Sequence, residues 1–436
     1  MSKAGVGTFI TENHELASSG LALFDQPIID SSLLQGKFIT IYPSSVLQDN
    51  GPFDFIIPSD GQDFTDLPFT RLEGCIEILN LAGATLTETD INAYVNLLPQ
   101  SLFKQIEVSV NNTQIADLST PTYAFKSYIE TVLTYPKDAK ETTLLLEHFN
   151  KDTIDKENIF TLLNSISFNK RNQFAKKGKI YFSMLLHIDF FHSTKLLLPG
   201  CEIKLKFIRN SDTFSLLGDT LQAKIKFHEL KLMIRRVTVE PTIASKIEDA
   251  INKTPAIYPI TQSKIKTFLI PKDVRQERIS NIFRGVLPRS IIVGFVTTDA
   301  ANGAINANPF KFEHFNLNHF QMYINGDPLL TEAFQPDFAN LNFFREYRWF
   351  MDNLGWAHDK ESNGVTMEEF KTNTFFLPFD LSPDLSNGAT LSQLKEGSLD
   401  VLVSFNENLA QNVQMIVFAT FNELLLIDKD RNVTLV

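Results

Sequence analysis

The sequence is short of cysteine, tryptophan and long apolar runs, and each shortage removes a class of protein. Only Cys75 and Cys201 occur in 436 residues, which leaves no disulfide framework and no zinc knuckle; two buried, reduced thiols are expected. Two Trp and nine Tyr stand against 38 Phe. Phenylalanine carries a large apolar area with no polar tip, so this balance suits dry interiors better than wet binding grooves. No stretch approaches the ~18–20 apolar residues that span a bilayer, and Met1 to Gly7 lacks a signal-peptide core. The expected setting is cytosol or nucleus, where the sequons at Asn111, Asn252 and Asn432 stay unmodified. The formal net charge of −11 repels phosphate, so strong nucleic-acid binding is not expected.

Catalytic constellations are missing too. Gly5-Val6-Gly7-Thr8-Phe9-Ile10 opens like a dinucleotide loop but lacks the third glycine and a preceding strand. Gly36-Lys37 has no glycine five residues earlier to make a phosphate loop, and no Gly-x-Ser-x-Gly elbow occurs. His187 and His192, like His314 and His319, are five residues apart. That spacing puts a pair on opposite faces of a strand and misses the shared face of a helix, so neither pair is expected to clamp a metal. Asp428 to Asn432 lacks the glycine and terminal glutamate of a calcium loop and reads as a solvated turn. Nothing marks Glu368-Glu369 as an acid/base couple. No catalytic, cofactor-binding or metal residue is expected.

What the chain does contain is itself, twice. Phe55-Ile56-Ile57-Pro58-Ser59-Asp60 matches Phe268-Leu269-Ile270-Pro271-Lys272-Asp273, and Leu67-Pro68 matches Leu287-Pro288. Val108-Ser109-Val110-Asn111-Asn112 matches Met322-Tyr323-Ile324-Asn325-Gly326, and Phe125-Lys126-Ser127-Tyr128 matches Phe344-Arg345-Glu346-Tyr347. Ile203 to Phe207 matches Val401 to Phe405, and Phe227 to Leu232 matches Phe421 to Leu426. The matches keep one order, with offsets from 421 − 227 = 194 to 287 − 67 = 220 residues. Collinearity of this kind points to duplication of a whole domain. The length agrees, since single cores stop growing near roughly 250–300 residues.

The dominant period is two. Ile106, Val108 and Val110 alternate with polar neighbours, as do Ile203, Leu205 and Phe207, which is the pattern of half-buried antiparallel strands. Along Ile225 to Ile234 the apolar parity switches, which requires a bulge near His228-Glu229; Met415 to Leu426 reads as slipping at the same place. Gln414 to Ile427 is almost unbroken in apolar residues, so this strand is expected to be covered on both faces. Short helices are expected at Tyr123 to Leu133, after Ser119-Thr120-Pro121, at Asn342 to Leu354 and at Ser245 to Ile251, with helical character at 144–149 inside an insertion. About eight candidate strands over roughly 180 residues per copy favour a sandwich or jelly roll over a meander barrel. The expected division is an N-terminal arm at 1–47, a first domain at 48–240, a proline-bearing linker at 241–262 and a second domain at 263–436.

Leu287-Pro288 leading into Ile291 to Val296, Asn308-Pro309-Phe310-Lys311-Phe312, and Tyr323 to Leu329 with Asn325-Gly326 resemble the second half of the major capsid proteins of Polinton (Maverick) elements and adintoviruses. The first copy lacks the Asn-Pro-Phe segment and has Asn112 where the second has Gly326, so the two turns are expected to differ in type. The resemblance implies an all-β double jelly roll of two tandem eight-stranded domains. It further implies a homotrimer that forms a pseudo-hexameric capsomer in an icosahedral virion shell, made in the host cytoplasm and assembled there or in the nucleus. The partners it implies are neighbouring capsomers, a single jelly-roll penton protein and minor capsid proteins. The arm, the 135–178 insertion and the 326–370 loop are expected to carry inter-subunit or outward contacts. The rival readings are a glycan-processing enzyme and a carbohydrate- or receptor-binding protein on paired jelly rolls; the first would want an export signal, disulfides and an acidic cleft with Trp, the second exposed Tyr and Trp.

Overall fold

A computed structural model describes residues 31–59, 61–88, 90–115, 122–152, 166–218, 223–357, 359–383, 393 and 395–436. In the first half eight principal strands follow in chain order: β1 (Leu33–Ile41), β2 (Phe53–Ile57), β3 (Phe64–Asn80), β4 (Phe103–Val110), β5 (Thr113–Gln114), β6 (Lys179–Leu185), β7 (Ile203–Arg209) and β8 (Ala223–Val239). They form two sheets of order β1-β8-β3-β6 and β2-β7-β4-β5. The second half has β9 (Ala256–Ile270), β10 (Gln276–Val286), β11 (Ser290–Thr297), β12 (Leu317–Ile324), β13 (Asp327–Pro328), β14 (Phe376–Asp380), β15 (Glu396–Phe405) and β16 (Val413–Ile427). Its sheets run β9-β16-β11-β14 and β10-β15-β12-β13. Adding eight to each label turns one order into the other. First strand beside last, second beside seventh, is the jelly-roll winding, and the chain contains it twice.

Inward positions follow the alternation in the sequence. Ile203, Leu205 and Phe207 are buried while Lys206 between them is exposed, and Phe207 packs edge-on against Phe55 and Phe103 at 5.5 and 5.0 Å. The helices α1 (Tyr123–Thr134) and α4 (Phe344–Asn353) fill the same place in each lobe, after the fifth strand and before the sixth. Helix α2 (Ile166–Lys176) lies in the 135–178 insertion, and α3 (Pro241–Ile251) joins the lobes. Pro241 opens α3, where its missing N–H costs nothing, and the Glu240 carboxylate accepts from the Ile243 amide at 3.0 Å. The Ser119 to Pro121 start and the Gly5 to Ile10 segment lie outside the described residues.

Several sequence expectations need correction. Part of the expected arm is strand: β1 pairs with β8 along Leu33 to Ile41 as the edge of a first-lobe sheet. The expected linker likewise ends in strand, because β9 begins at Ala256 and carries Pro259 opposite Leu424. Edge position explains the proline, whose absent N–H falls on the unpaired side. Of the matched segments, Phe55 to Ile57 lies in β2 but Phe268 to Ile270 closes β9, so that pair is not equivalent; what they share is a strand ended by Ile-Pro. Leu67-Pro68 lies inside β3, whereas Leu287-Pro288 stands just before β11; the other four fall on equivalent elements.

The bulge is real in the first copy, where the register skips His228 and burial passes from Ile225 and Phe227 to Leu230, Leu232 and Ile234. In the second copy β16 pairs with both neighbours without a shift, and Val413, Met415, Val417, Ala419, Phe421, Leu425 and Ile427 share one parity. Apolar residues occupy both faces of β16, so hydrophobicity alone does not report its phase. The two hairpin turns also agree rather than differ. Asn111 and Asn112 have φ of 46° and 67°, Asn325 and Gly326 have 54° and 89°, and each turn closes a two-residue loop between paired strands. Both are type I′.

Candidate functional site: the junction between the lobes

Aromatic and charged side chains gather where the first lobe meets the second. Helix α1 buries nine of its twelve residues. Phe125 sits edge-on to Phe214, Phe310 and Phe312 at 5.8, 6.1 and 6.3 Å, and Tyr128 stacks on Phe310 at 4.4 Å. Phe312 continues the run to Phe376 of β14 at 4.3 Å. The Asn-Pro-Phe-x-Phe segment of the second copy is thus a junction element. Its Asn308 side chain accepts from the Phe310 amide at 3.0 Å, which fixes the turn, and donates to Asp152 of the first lobe at 3.3 Å. Gly294 makes room for it, since a Cβ there would stand 2.7 Å from Phe312 and 2.8 Å from Phe376. In the sequence Phe310 and Phe312 stand out as family marks but not in this role; the signal for it is two phenylalanines flanking one lysine outside any strand.

A polar clasp completes the junction. The Asp189 carboxylate accepts from the Ser263 amide and hydroxyl of β9, both at 2.8 Å, and from the Lys126 ammonium at 2.5 Å. Glu130 lies 3.8 Å from the same ammonium and 2.6 Å from Nδ1 of His187. Burial alone would raise the Glu130 carboxyl; the Lys126 charge and the His187 hydrogen bond outweigh it and hold the group down to about 2. Burial likewise opposes the Lys126 charge, and Asp189 and Glu130 more than restore it.

This clasp brings His187 and His192 together, with ring centroids 6.3 Å apart and ligand atoms within 4.8 Å of each other and of Glu130. A spacing of five separates two side chains on a strand or an α-helix, and the tight turn at Asp189–His192 is neither. On ligand count the three would suit a metal ion. The three also border an ion-pair network, in which the Lys126 ammonium lies 2.5 Å from Asp189 and 3.8 Å from Glu130. The other pair stays apart in role: His314 is stacked on Phe338 at 3.6 Å and pushed down to about 4 by burial, while His319 lies in β12.

The 135–178 insertion and the 326–370 loop, expected to carry inter-subunit or outward-facing contacts, meet each other in their described parts. Ser362 O accepts from the Lys137 amide at 2.9 Å, Asn363 O from the Lys140 ammonium at 2.6 Å and Gly364 O from the Lys151 ammonium at 2.5 Å. Trp356 donates to Leu133 O at 2.8 Å. Lys140, buried and also bonded to Val132 O, is pushed down to about 7 by burial and by Lys151 nearby. Glu369 of the Glu368-Glu369 pair caps the helix Met367–Thr372 and accepts from Lys151 at 2.8 Å. Asp428 closes the expected turn by accepting from Asn432 at 2.8 and 2.9 Å. Cys75 and Cys201 are buried and unpaired. Among the described residues no helix is long and apolar enough to cross a membrane.

The docking leaves the lobes unequal. In the second lobe the outer face of sheet β9-β16-β11-β14 receives the first lobe, and Ile292, Ile416 and Phe418 on it are at most 8% exposed. On the matching sheet of the first lobe Phe38, Phe69 and Tyr181 are 49%, 52% and 67% exposed. Arg71 and Arg235 lie over the rings of Phe38 and Phe69.

No protein-family model matches the chain. The uncharacterized protein F54H12.2 of Caenorhabditis elegans is 22% identical over 421 residues, covering 93% of this chain and 98% of that protein. A chain in the cryo-electron microscopy structure of the Sputnik virophage superposes with a TM-score of 0.65 at 12% identity, over 100% of this chain and 94% of its own length. The mavirus major capsid protein superposes with a TM-score of 0.54 at 12% identity, over 100% and 96%. At such identities the likeness is one of fold: the chain is an all-β double jelly roll, of the design found in the major capsid protein of mavirus.

Proposed function

We propose that this chain is a viral major capsid protein of the Polinton/Maverick, adintovirus-like lineage. It acts as structure and not as an enzyme, and three copies close into a pseudo-hexameric capsomer that tiles an icosahedral shell. The observation that carries this reading is the fusion of two jelly rolls of identical strand order through a buried junction, since three such chains supply six similar lobes around one axis. The capsid proteins with this fold support it. The division into 1–47, 48–240, 241–262 and 263–436 is retained as a description of the coding plan, with β1 and the start of β9 belonging to the lobes they pair in. Neighbouring capsomers, a single jelly-roll penton protein and minor capsid proteins are the proposed partners, in the virion. Light scattering on the purified chain, followed by negative-stain imaging, tests the reading. A mass about three times 49.4 kDa, with hexagonal particles, is expected. A stable monomer forming no particles across salt and pH overturns it.

A further inference from the structure

Helices α1 and α4 hold the same position in chain order, between the fifth and sixth strands of their lobes, and carry matching segments, Phe125-Lys126-Ser127-Tyr128 and Phe344-Arg345-Glu346-Tyr347. Their surroundings differ sharply. Of α1 nine residues are buried, of α4 only Glu346 and Phe350. Phe125 is 6% exposed against the second lobe, and Phe344 is 61% exposed. Leu341, three residues before it and held in a left-handed conformation at φ 57°, is 50% exposed. A phenylalanine and a leucine raised together on one rim are apolar area awaiting a partner.

The surface that covers α1 is the outer face of the second lobe's β9-β16-β11-β14 sheet with the segment beside it, through Ser263, whose hydroxyl donates to Glu130 at 3.5 Å, and through Phe312, which Phe376 backs. Among the described residues the equivalent surface of the first lobe, on β1-β8-β3-β6, is open, with Phe38, Phe69, Tyr181 and Leu185 exposed. The chain therefore holds one closed copy of a lobe-to-lobe contact and the two unmatched halves of another. The halves lie on different lobes, so joining them between chains is a head-to-tail, heterologous contact, which either closes a ring or runs on as a filament.

We infer that α4, through Phe344 and Leu341, docks on the outer face of the β1-β8-β3-β6 sheet of a second copy of this chain, repeating between chains the contact that α1 makes within one. The occupant is set by continuity with the internal junction: the same helix position, the same sheet and the same aromatic chemistry. The inference rests on the trimer reading and adds the surfaces that close it.

The test uses the full chain. Leu341→Asp/Phe344→Asp changes only exposed side chains, so its unfolding midpoint should match the wild type, while light scattering should show association weakened at least tenfold and a shift to monomer. A second variant, Phe38→Cys/Phe344→Cys, is treated with a bis-maleimide, since the native thiols are buried; covalent dimers and a covalent trimer are expected. A wild type that is monomeric at every concentration removes the trimer reading. A trimeric wild type whose double aspartate variant stays trimeric, with no cross-link, overturns this inference and leaves the trimer standing. If deletion of residues 1–30 dissociates the trimer and the aspartate variant does not, the open face belongs to that segment and the inference fails.

Discussion

Tyr128 and Phe310 lie face to face across the two lobes, ring centroids 4.4 Å apart and planes within 4°. Both are buried, at 5% and 1% exposure, and neither belongs to the sheets of its own jelly roll. The stack is part of an apolar cluster drawing on α1 and on both sheets of the second lobe. Phe310→Ala removes the stack and leaves a cavity with walls from two lobes, a loss of about 3–5 kcal/mol. Guanidinium denaturation followed by near-ultraviolet circular dichroism should show the lower midpoint, and a separate early transition as the junction opens first. A midpoint unchanged within error would mean the lobes are held elsewhere.

Gly294 is needed for space rather than for backbone freedom. A Cβ built there comes within 2.7 Å of Phe312 and 2.8 Å of Phe376, and both rings are 0% exposed and have nowhere to retreat. Gly294→Ala should cost about 1–3 kcal/mol by overpacking. Adding Phe376→Leu should recover part of that loss, because it trims one of the two clashing rings. If the double variant is as unstable as the sum of the single ones, the clash is not the cause.

Glu130 ties the junction to pH. Its folded carboxyl is held down to about 2, below the roughly 4.3 of an unfolded glutamate. Its stabilisation is therefore complete above the unfolded value and drains away as pH falls toward 2. Glu130→Gln should cost about 2–4 kcal/mol at pH 7, since it leaves Lys126 and His187 with one partner fewer. Urea titrations of both proteins from pH 3 to 8 should show the gap narrowing below about pH 4. A gap that stays constant with pH would assign the loss to packing.

Legibility in the sequence followed physical simplicity. Strands with one buried face were readable because alternation reports which side is wet, as at Ile203 to Phe207, and the bulge at His228 was readable for the same reason. That signal fails where both faces are covered: β16 keeps its register although Leu424 and Leu426 suggested a slip. Pro259 read as linker because edge strands, which tolerate proline, are not marked as edges in a sequence. The junction was the least legible part. Glu130, Asp189 and Ser263 come from three elements, and nothing local announces that they meet. The Asn-Pro-Phe segment was visible as a pattern, but its target, Tyr128, was visible only after folding.

The hairpin turn of the first lobe leaves room for improvement. Asn112 sits at φ 67°, where its counterpart is Gly326 at 89°, and Asn-Gly is the preferred pair for a type I′ turn. Asn112→Gly should raise stability by about 0.5 kcal/mol from relieved strain, less the exposed hydrogen bond that Lys204 donates to Asn112 at 2.9 Å. Thermal melts should show a small upward shift; a drop would mean the hydrogen bond outweighs the turn.

Lys140 gives a pH dependence of the same sign as that of Glu130, but in an alkaline window. Its ammonium is buried, with Val132 O at 2.5 Å and Asn363 O at 2.6 Å as acceptors, and burial pushes it down to about 7. An unfolded lysine keeps its proton to about 10.4. Between those values the unfolded chain binds a proton that the folded chain has released, so stability rises with pH, by up to about 1.4 kcal/mol per unit from this group. Lys140→Met loses two hydrogen bonds and is less stable at every pH, but the offset is not the test. Every other titrating group is common to both proteins and cancels when their stabilities are subtracted. The difference between wild type and variant should therefore widen steadily from pH 7 to 9.5, as the neutral amine keeps its two acceptors without the burden of a buried charge. Parallel curves across that range would show that Lys140 stays charged in the folded chain, and that water reaches the junction between the 135–152 and 356–370 segments.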